Sequence, residues 1–237
     1  MATILITGSN QGIGFEFARQ YAADGWNVIA CCRTPDKADE LQALADKNST
    51  IWIEQLDVCD HSAIDALGAK YKNTSLDVLL NNAGIIGPIP IADHIHRQHF
   101  GSMDYAVWQQ VLETNTFAPI KLAETFVHAI AASEQKKIIN ISSNVGSISE
   151  RCLPAIAYGS SKTALNKATT IVAEQLRDRG IIVALFCPGA VKTRMDAWGQ
   201  AGVGIEDSVS SLRPLIETLT ISDSGSFRDY TGRTIAW

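Results

Sequence analysis

Long apolar runs are missing from this chain. No stretch approaches the ~20 consecutive apolar residues of a membrane-spanning helix, so no membrane role is expected. A basic excess is missing too: 20 Lys and Arg stand against 25 Asp and Glu, a formal net charge of −5. That balance leaves no electrostatic footprint for nucleic acid. Cysteine is sparse, and Cys31, Cys32, Cys59, Cys152 and Cys187 show neither zinc spacing nor a disulfide framework. Cys31, Cys32 and Cys187 lie in apolar strand-like runs and read as small buried residues. The sequence opens directly into an apparent strand with no basic n-region or cleavage site, so a cytoplasmic location is expected. Internal repeats, linkers and low-complexity segments are absent, and residues 1–237 are expected to form one α/β domain.

What is present begins with Thr3-Ile-Leu-Ile-Thr7, a continuous apolar run suited to a strand buried on both faces of a parallel sheet. It runs into Gly8-Ser-Asn10-Gln11-Gly12-Ile13-Gly14, after which Ile13, Phe17 and Tyr21 recur every four residues. Strand, glycine turn and helix in that order form a phosphate cradle. The glycines let a ligand approach the backbone, and the helix N-terminus offers free N–H groups to a pyrophosphate.

The second strand is expected over Trp26–Cys32, followed by Arg33, Thr34 as helix cap and Pro35 as first helical residue. Arg33 lies 19 positions after Gly14, where an NAD enzyme places the acid that holds the ribose 2′-hydroxyl. A basic residue there suits the 2′-phosphate of NADP instead. A third strand over Thr50–Leu56 leads to Asp57 and Val58, and a fourth over Leu76–Leu80 leads to Asn81, Asn82, Ala83 and Gly84. Such strand ends line one edge, where open parallel sheets bind ligands. Ala83 and Gly84 leave room for a flat ring or ribose.

Residues 85–104 show no period and read as a long connection that shapes substrate entry. His94, His96 and His99 fall in it without a matching carboxylate or cysteine pattern, so metal ligation is not expected. Met103–Ala132 is helical, with two helices meeting near Asn115, a residue unfavourable in mid-helix. Further on, Lys137–Ser143 and Ile181–Phe186 read as the fifth and sixth strands, Ile205–Leu219 as a helix and Arg233–Trp237 as the last strand. Between the fifth and sixth, Pro154–Arg179 is helical and carries Tyr158 and Lys162 one turn apart on one face. A fixed ammonium there favours the phenolate and lowers the phenol's pKa. Such a tyrosine could pass a proton to or from a substrate oxygen.

Thr7-Gly8-x-x-x-Gly12-x-Gly14, Asn81-Asn82-Ala83-Gly84, Tyr158-x-x-x-Lys162 and Pro188-Gly189 stand in one order and spacing. In these motifs the chain resembles the short-chain dehydrogenase/reductase family over its whole length. The wording Gly-Ser-Asn-Gln-Gly-Ile-Gly, Cys-Arg-Thr-Pro and Gly-Arg-Thr-Ile-Ala-Trp looks most like its C-factor-like and sniffer-like carbonyl reductase branch. The resemblance implies a Rossmann-like, doubly wound parallel sheet of about seven strands with helices on both faces. It implies NADP(H) as cofactor and reduction of an aldehyde or ketone through Asn115, Ser143, Tyr158 and Lys162. Asn115 would help hold a water linking the lysine to solvent, and Lys162 would bind the nicotinamide ribose. The turn containing Pro188, Gly189, Val191 and Thr193 would border the nicotinamide.

Ser143 is the second of the pair Ser142-Ser143, and its distance of 15 residues from Tyr158 is two more than the commonest family spacing. The extra length is placed in Ser147–Cys152, and a glycine-bearing segment over Lys192–Ser211 would cover the substrate. Gln11 stands where many NADP-preferring relatives carry a second basic residue, so the preference is expected to be modest. Pairing of the helices near Ala106–Ala132 and Pro154–Arg179 into a dimer or tetramer is implied as well. Two rival readings remain at this stage: an NAD-linked alcohol dehydrogenase, and a C-factor-like signalling protein with incidental turnover.

Overall fold

The computed structural model describes residues 1–150, 153–196 and 201–237. In chain order the elements are β1 (Thr3–Thr7), α1 (Gly12–Ala23), β2 (Asn27–Cys32), α2 (Asp39–Lys47), β3 (Ile51–Gln55), α3 (His61–Lys70) and β4 (Val78–Asn81). There follow α4 (Ile91–His94), α5 (Tyr105–Leu112), α6 (Ala118–Ala131), β5 (Lys137–Ile141), α7 (Ile156–Leu176), β6 (Ile182–Cys187), α8 (Ile205–Glu217) and β7 (Phe227–Asp229). The strands form one seven-stranded sheet in the order β3-β2-β1-β4-β5-β6-β7. Every pairing is parallel. This is the doubly wound, Rossmann-like sheet that the motifs imply.

Burial explains the unbroken apolar strands. β1, β4 and β6 are buried at every position because helices cover both faces. On one face Phe17 and Tyr21 of α1, Leu41 of α2 and Val209, Leu212 and Ile216 of α8 pack on Ile4, Ile6 and Phe186. On the other, Ile64 and Leu67 of α3, Leu122 and Phe126 of α6 and Ala173 of α7 pack on Leu5, Leu79 and Ile138. Each fully buried large side chain contributes roughly 1.5–3 kcal/mol of transfer free energy. The winding reverses between β1 and β4, which opens a crevice beyond their carboxyl ends.

Two expected elements differ from what forms. Thr34 makes no capping hydrogen bond: Pro35–Lys37 is a separate 3-10 turn, and α2 starts only at Asp39. Ala38 is buried against the α1 face of the sheet and has non-helical φ and ψ, so the chain dips inward between turn and helix. The last strand is Phe227–Asp229 rather than Arg233–Trp237. The Asp229 carboxylate accepts from the N–H groups of Thr231 and Arg233 and reverses the chain. Thr234 then makes only an isolated antiparallel bridge to Arg228. Phe227, Arg228 and Asp229 pair with Leu185, Phe186 and Cys187 of β6, and Ile235 packs beside Phe227 in the core without joining the sheet.

The connection after β4 has more order than its lack of period indicates. It holds α4 and a 3-10 turn over Ile95–Gln98, with Ile91 and Gln98 buried. Cys152 and Gly199, in segments to which the sequence assigned extra length and substrate cover, lie outside the described residues.

Candidate active site

The glycine turn after β1 is tight at Gly8 and Gly14. Gly8 and Gly12 have φ of +71° and +58°, the left-handed region that glycine enters without strain. A Cβ on Gly14 would lie 2.3 Å from the Gly8 carbonyl oxygen and 2.5 Å from Asn82 Nδ2. The turn is therefore pressed onto the end of β4. Thr7, which motif reading treated only as a flank, laces the two strands together: its Oγ1 accepts from the N–H groups of Asn82 (3.1 Å) and Ala83 (3.0 Å). Asn82 Nδ2 donates to the carbonyls of Thr7 (2.9 Å) and Gly8 (3.3 Å), so its side chain shapes the turn. The first backbone bond of α1 runs from Phe15 N–H to Gln11 C=O, leaving the preceding N–H groups directed at the crevice. Ile13 packs its side chain toward the core, and Asn10 is half-buried beside it in the turn.

Beyond β2 the crevice widens into a cleft of about 700 Å³ lined by Arg33, Thr34, Gln55, Asp57, Asp60 and Ala63. Arg33 is exposed, and among the described residues its guanidinium has no ion-pair partner. Asp57 accepts from Cys59 N–H at 3.0 Å, whereas the Val58 side chain belongs to the core, so only its backbone can face a ligand.

Asn115 sits in a π turn, Glu113–Phe117, that separates α5 from α6. The wider turn directs the side chain at the start of the 85–104 segment. Asn115 Oδ1 accepts from Ile85 N–H (2.9 Å), and Nδ2 donates to Ile85 C=O (2.8 Å) and to Ser161 Oγ (3.0 Å). A fully buried amide with three partners anchors segment to helix. Its side chain is thus committed to Ile85 and Ser161.

Tyr158 and Lys162 lie on the inner face of α7, 9% and 5% exposed. Lys162 Nζ donates to Ile141 C=O at 2.8 Å and stands 6.0 Å from the centre of the Tyr158 ring. A Cβ on Gly84 would lie 3.3 Å from Asn115 Oδ1 and 3.7 Å from Lys162 Nζ, which ties the β4 turn to the same cluster. Ser142 and Ser143 separate cleanly. Ser142 is buried and donates to Asn166 Oδ1 at 2.6 Å, whereas Ser143 is half-exposed and its hydroxyl lies close enough to the Tyr158 phenol to lower its pKa. The Cys187 thiol, which no motif singles out, accepts from Asn144 N–H at 3.3 Å and steadies the turn after Ser143.

Burial dominates the electrostatics of the Tyr158–Lys162 pair. Burial pushes the Tyr158 phenol up to about 12, and the Ser143 hydroxyl offsets only part of that. Burial also pulls the Lys162 ammonium down to about 8. Lys162 donates to the Ile141 carbonyl, and desolvation sets the direction of the phenol's shift. At neutral pH the pair is a phenol and an ammonium.

Gln98 is the residue that sequence reasoning missed. It is 1% exposed, donates to Ile86 C=O (2.6 Å) and accepts from Tyr158 N–H (3.0 Å), fixing the first turn of α7. Its only signal was a polar residue in a region without period. The fourth wall of the site follows β6. Pro188 C=O accepts from Ser208 Oγ at 2.7 Å, Gly189 has φ +86°, and Val191 is buried. Thr193 brings its methyl 3.7 Å from where a Gly12 Cβ would stand, which closes the ring of elements around the crevice.

A parallel sheet with a glycine turn at its switch point and a Tyr–Lys pair at the same edge defines a nucleotide-dependent oxidoreductase type of site. The family model for short chain dehydrogenases matches residues 2–201. The chain belongs to the short chain dehydrogenase family. Among solved structures, an NADPH-bound carbonyl reductase from chicken fatty liver is 32% identical with a TM-score of 0.89, the match covering 100% of this chain and 99% of that one. The carbonyl reductase Sniffer of D. melanogaster is 31% identical with a TM-score of 0.88, covering 100% of both chains. The short-chain dehydrogenase anuI of Penicillium roqueforti is 27% identical over 249 residues, 98% of this chain and 92% of its own length. These likenesses agree with the branch that the motifs pointed to. Among the described residues, no helix is long and apolar enough to cross a membrane.

Proposed function

We propose that the protein is an NADP(H)-dependent carbonyl reductase formed by one domain over residues 1–237. The observation that carries this reading is the Tyr158 phenol, kept protonated by burial and set near Ser143 and Lys162 at the edge where the glycine turn lies. The residues present fit the cofactor: the turn leaves no space for a Cβ at Gly14, and Arg33 presents its charge in the adjoining cleft with no ion-pair partner among the described residues. Gly8 to Gly14 would hold the pyrophosphate, Arg33 the 2′-phosphate, and Asp57, Val58, Asn82, Ala83 and Gly84 the edge between them. Lys162 would hold the nicotinamide ribose, with Pro188, Gly189, Val191 and Thr193 bordering the ring. When bound, the cofactor supplies the hydride.

Ser143 and Tyr158 hold the substrate's carbonyl oxygen, and Tyr158 gives it a proton as negative charge develops there. A phenol that stays protonated through the neutral range is suited to this direction. Tyr158 packs with Ile86, Ile91, Val145 and Ala155, with Ile95 and Met195 against them. That apolar surround favours substrates whose carbonyl carries an apolar or aromatic body. A role as cofactor-binding sensor needs no such proton donor. Consumption of NADPH against a panel of aldehydes, ketones and quinones tests the reading. Tight NADPH binding without turnover of any of them would favour the sensor instead.

The catalysis is expected in the cytoplasm and in a homo-oligomer. Tyr105, Phe117 and Ile171, exposed on or beside α5, α6 and α7, support pairing through those helices. Light scattering at tens of micromolar protein checks it, a monomer counting against the pairing.

A further inference from the structure

One hydrogen bond joins parts of the chain that no motif connects. Arg194 Nη1 donates to Gln11 Oε1 at 2.8 Å, across 183 positions of sequence. Gln11 is the residue before the first turn of α1, and Arg194 follows Thr193, whose methyl already rests over Gly12. The base of the segment is pinned: Val191 bridges Val203, Val203 N–H donates to Ala190 C=O, and Lys192 N–H to Val203 C=O. Arg194 is therefore delivered to the mouth of the glycine turn by tertiary structure.

Its chemistry there is incomplete. A guanidinium carries five donors in a planar fork that matches phosphate oxygens. Among the described residues Arg194 makes this one side-chain hydrogen bond, to a neutral amide, and no ion pair. Beside it lie the unbonded N–H groups at the start of α1, a 12-residue helix. Its bond to Gln11 sets the guanidinium beside the helix N-terminus, and both groups attract an anion. Arg33 faces a different place, the cleft beyond β2 with Thr34 and Gln55.

We propose that Arg194 binds the pyrophosphate of the dinucleotide, exchanging the Gln11 amide for phosphate oxygen, while Arg33 alone reads the 2′-phosphate. The proposal rests on the nucleotide site described above. It divides affinity from selectivity: Arg194 strengthens binding of either nicotinamide dinucleotide, and Arg33 distinguishes them.

Equilibrium quenching of the protein's tryptophan fluorescence by NADPH and by NADH, at several salt concentrations, tests the division. Arg194 is exposed, so Arg194→Gln and Arg194→Lys should fold normally, which an unchanged melting temperature verifies. In Arg194→Gln both dissociation constants should rise together by about ten- to a hundredfold, the worth of a charge-assisted bond to phosphate. Salt dependence should flatten, and Arg194→Lys should restore part of the loss. Arg33→Gln should weaken NADPH only. Unchanged binding in Arg194→Gln, or a loss confined to NADPH, overturns the proposal. Failure of the wild type to bind either nucleotide would instead remove the cofactor reading beneath it.

Discussion

At one end of the crevice Tyr158 and Lys162 are buried, and their titration is displaced in opposite directions, to about 12 and about 8. At the other end Arg33 and Arg194 stand in solvent. A charge in low dielectric is costly and responds strongly to its few neighbours, so burial sets which proton moves and when. A solvated guanidinium keeps its charge whatever surrounds it and can add only affinity and selectivity. The buried end should therefore govern rate and pH dependence, and the open end binding.

The largest effect should come from Tyr158→Phe. The ring's packing stays while the proton donor is lost, so kcat should fall by about 10²–10⁴-fold. NADPH binding, measured by fluorescence, should be unchanged. A variant that kept more than about a tenth of the wild-type rate, with hydride transfer limiting in both, would show that Tyr158 is not the acid.

At the open end Arg33→Asp should reverse the pattern. It removes a phosphate contact, sets like charge beside the 2′-phosphate and offers a carboxylate to an unmodified ribose. The ratio of kcat/KM for NADPH over NADH should drop by about ten- to a hundredfold. Saturated turnover should hardly change. Equal use of both cofactors by the wild type, unaltered in the variant, would leave Arg33 a surface residue.

pH separates the two ends further. The folded pKa of Lys162 is lowered from 10.5 to about 8, so its ammonium is lost as pH rises through 8. The kcat/KM for reduction should then fall about tenfold per pH unit above that point. Stability should move the other way. Between pH 8 and 10.5 the unfolded chain binds more protons at Lys162 than the folded one, so this residue makes the fold more stable as pH rises. A flat kcat/KM profile from pH 7 to 10 would contradict the burial argument.

The smallest effect lies behind the site. Gln98→Leu strands Ile86 C=O and Tyr158 N–H without partners in the interior. Chemical denaturation should show a loss of about 1–3 kcal/mol, with a lower kcat and an unchanged preference between cofactors. An equally stable variant would mean that α7 is fixed by its other contacts.

Much of this arrangement was legible from local spacing. Thr3–Thr7 read as a buried strand because each residue is apolar or small, and Tyr158 and Lys162 read as partners because four positions make one helical turn. The π turn at Asn115 was legible as a misplaced residue in a helix, although the direction of its side chain was not. Local pattern failed at the last strand. Phe227 and Ile235 both reach the core beside Leu165 and Leu185, and only the pairing with β6 shows that Phe227–Asp229 is the strand.

By itself the sequence determined the strand–turn–helix order, the glycine cradle, the Tyr–Lys face and the basic residue after β2. Each depends on neighbours within one or two turns of chain, where spacing alone sets the geometry. Only the tertiary structure decided that Tyr158 stays a phenol, that Gln98 holds its helix and that Arg194 reaches Gln11. Those outcomes depend on desolvation and on hydrogen bonds between residues 60 and 183 positions apart, which no local pattern can express.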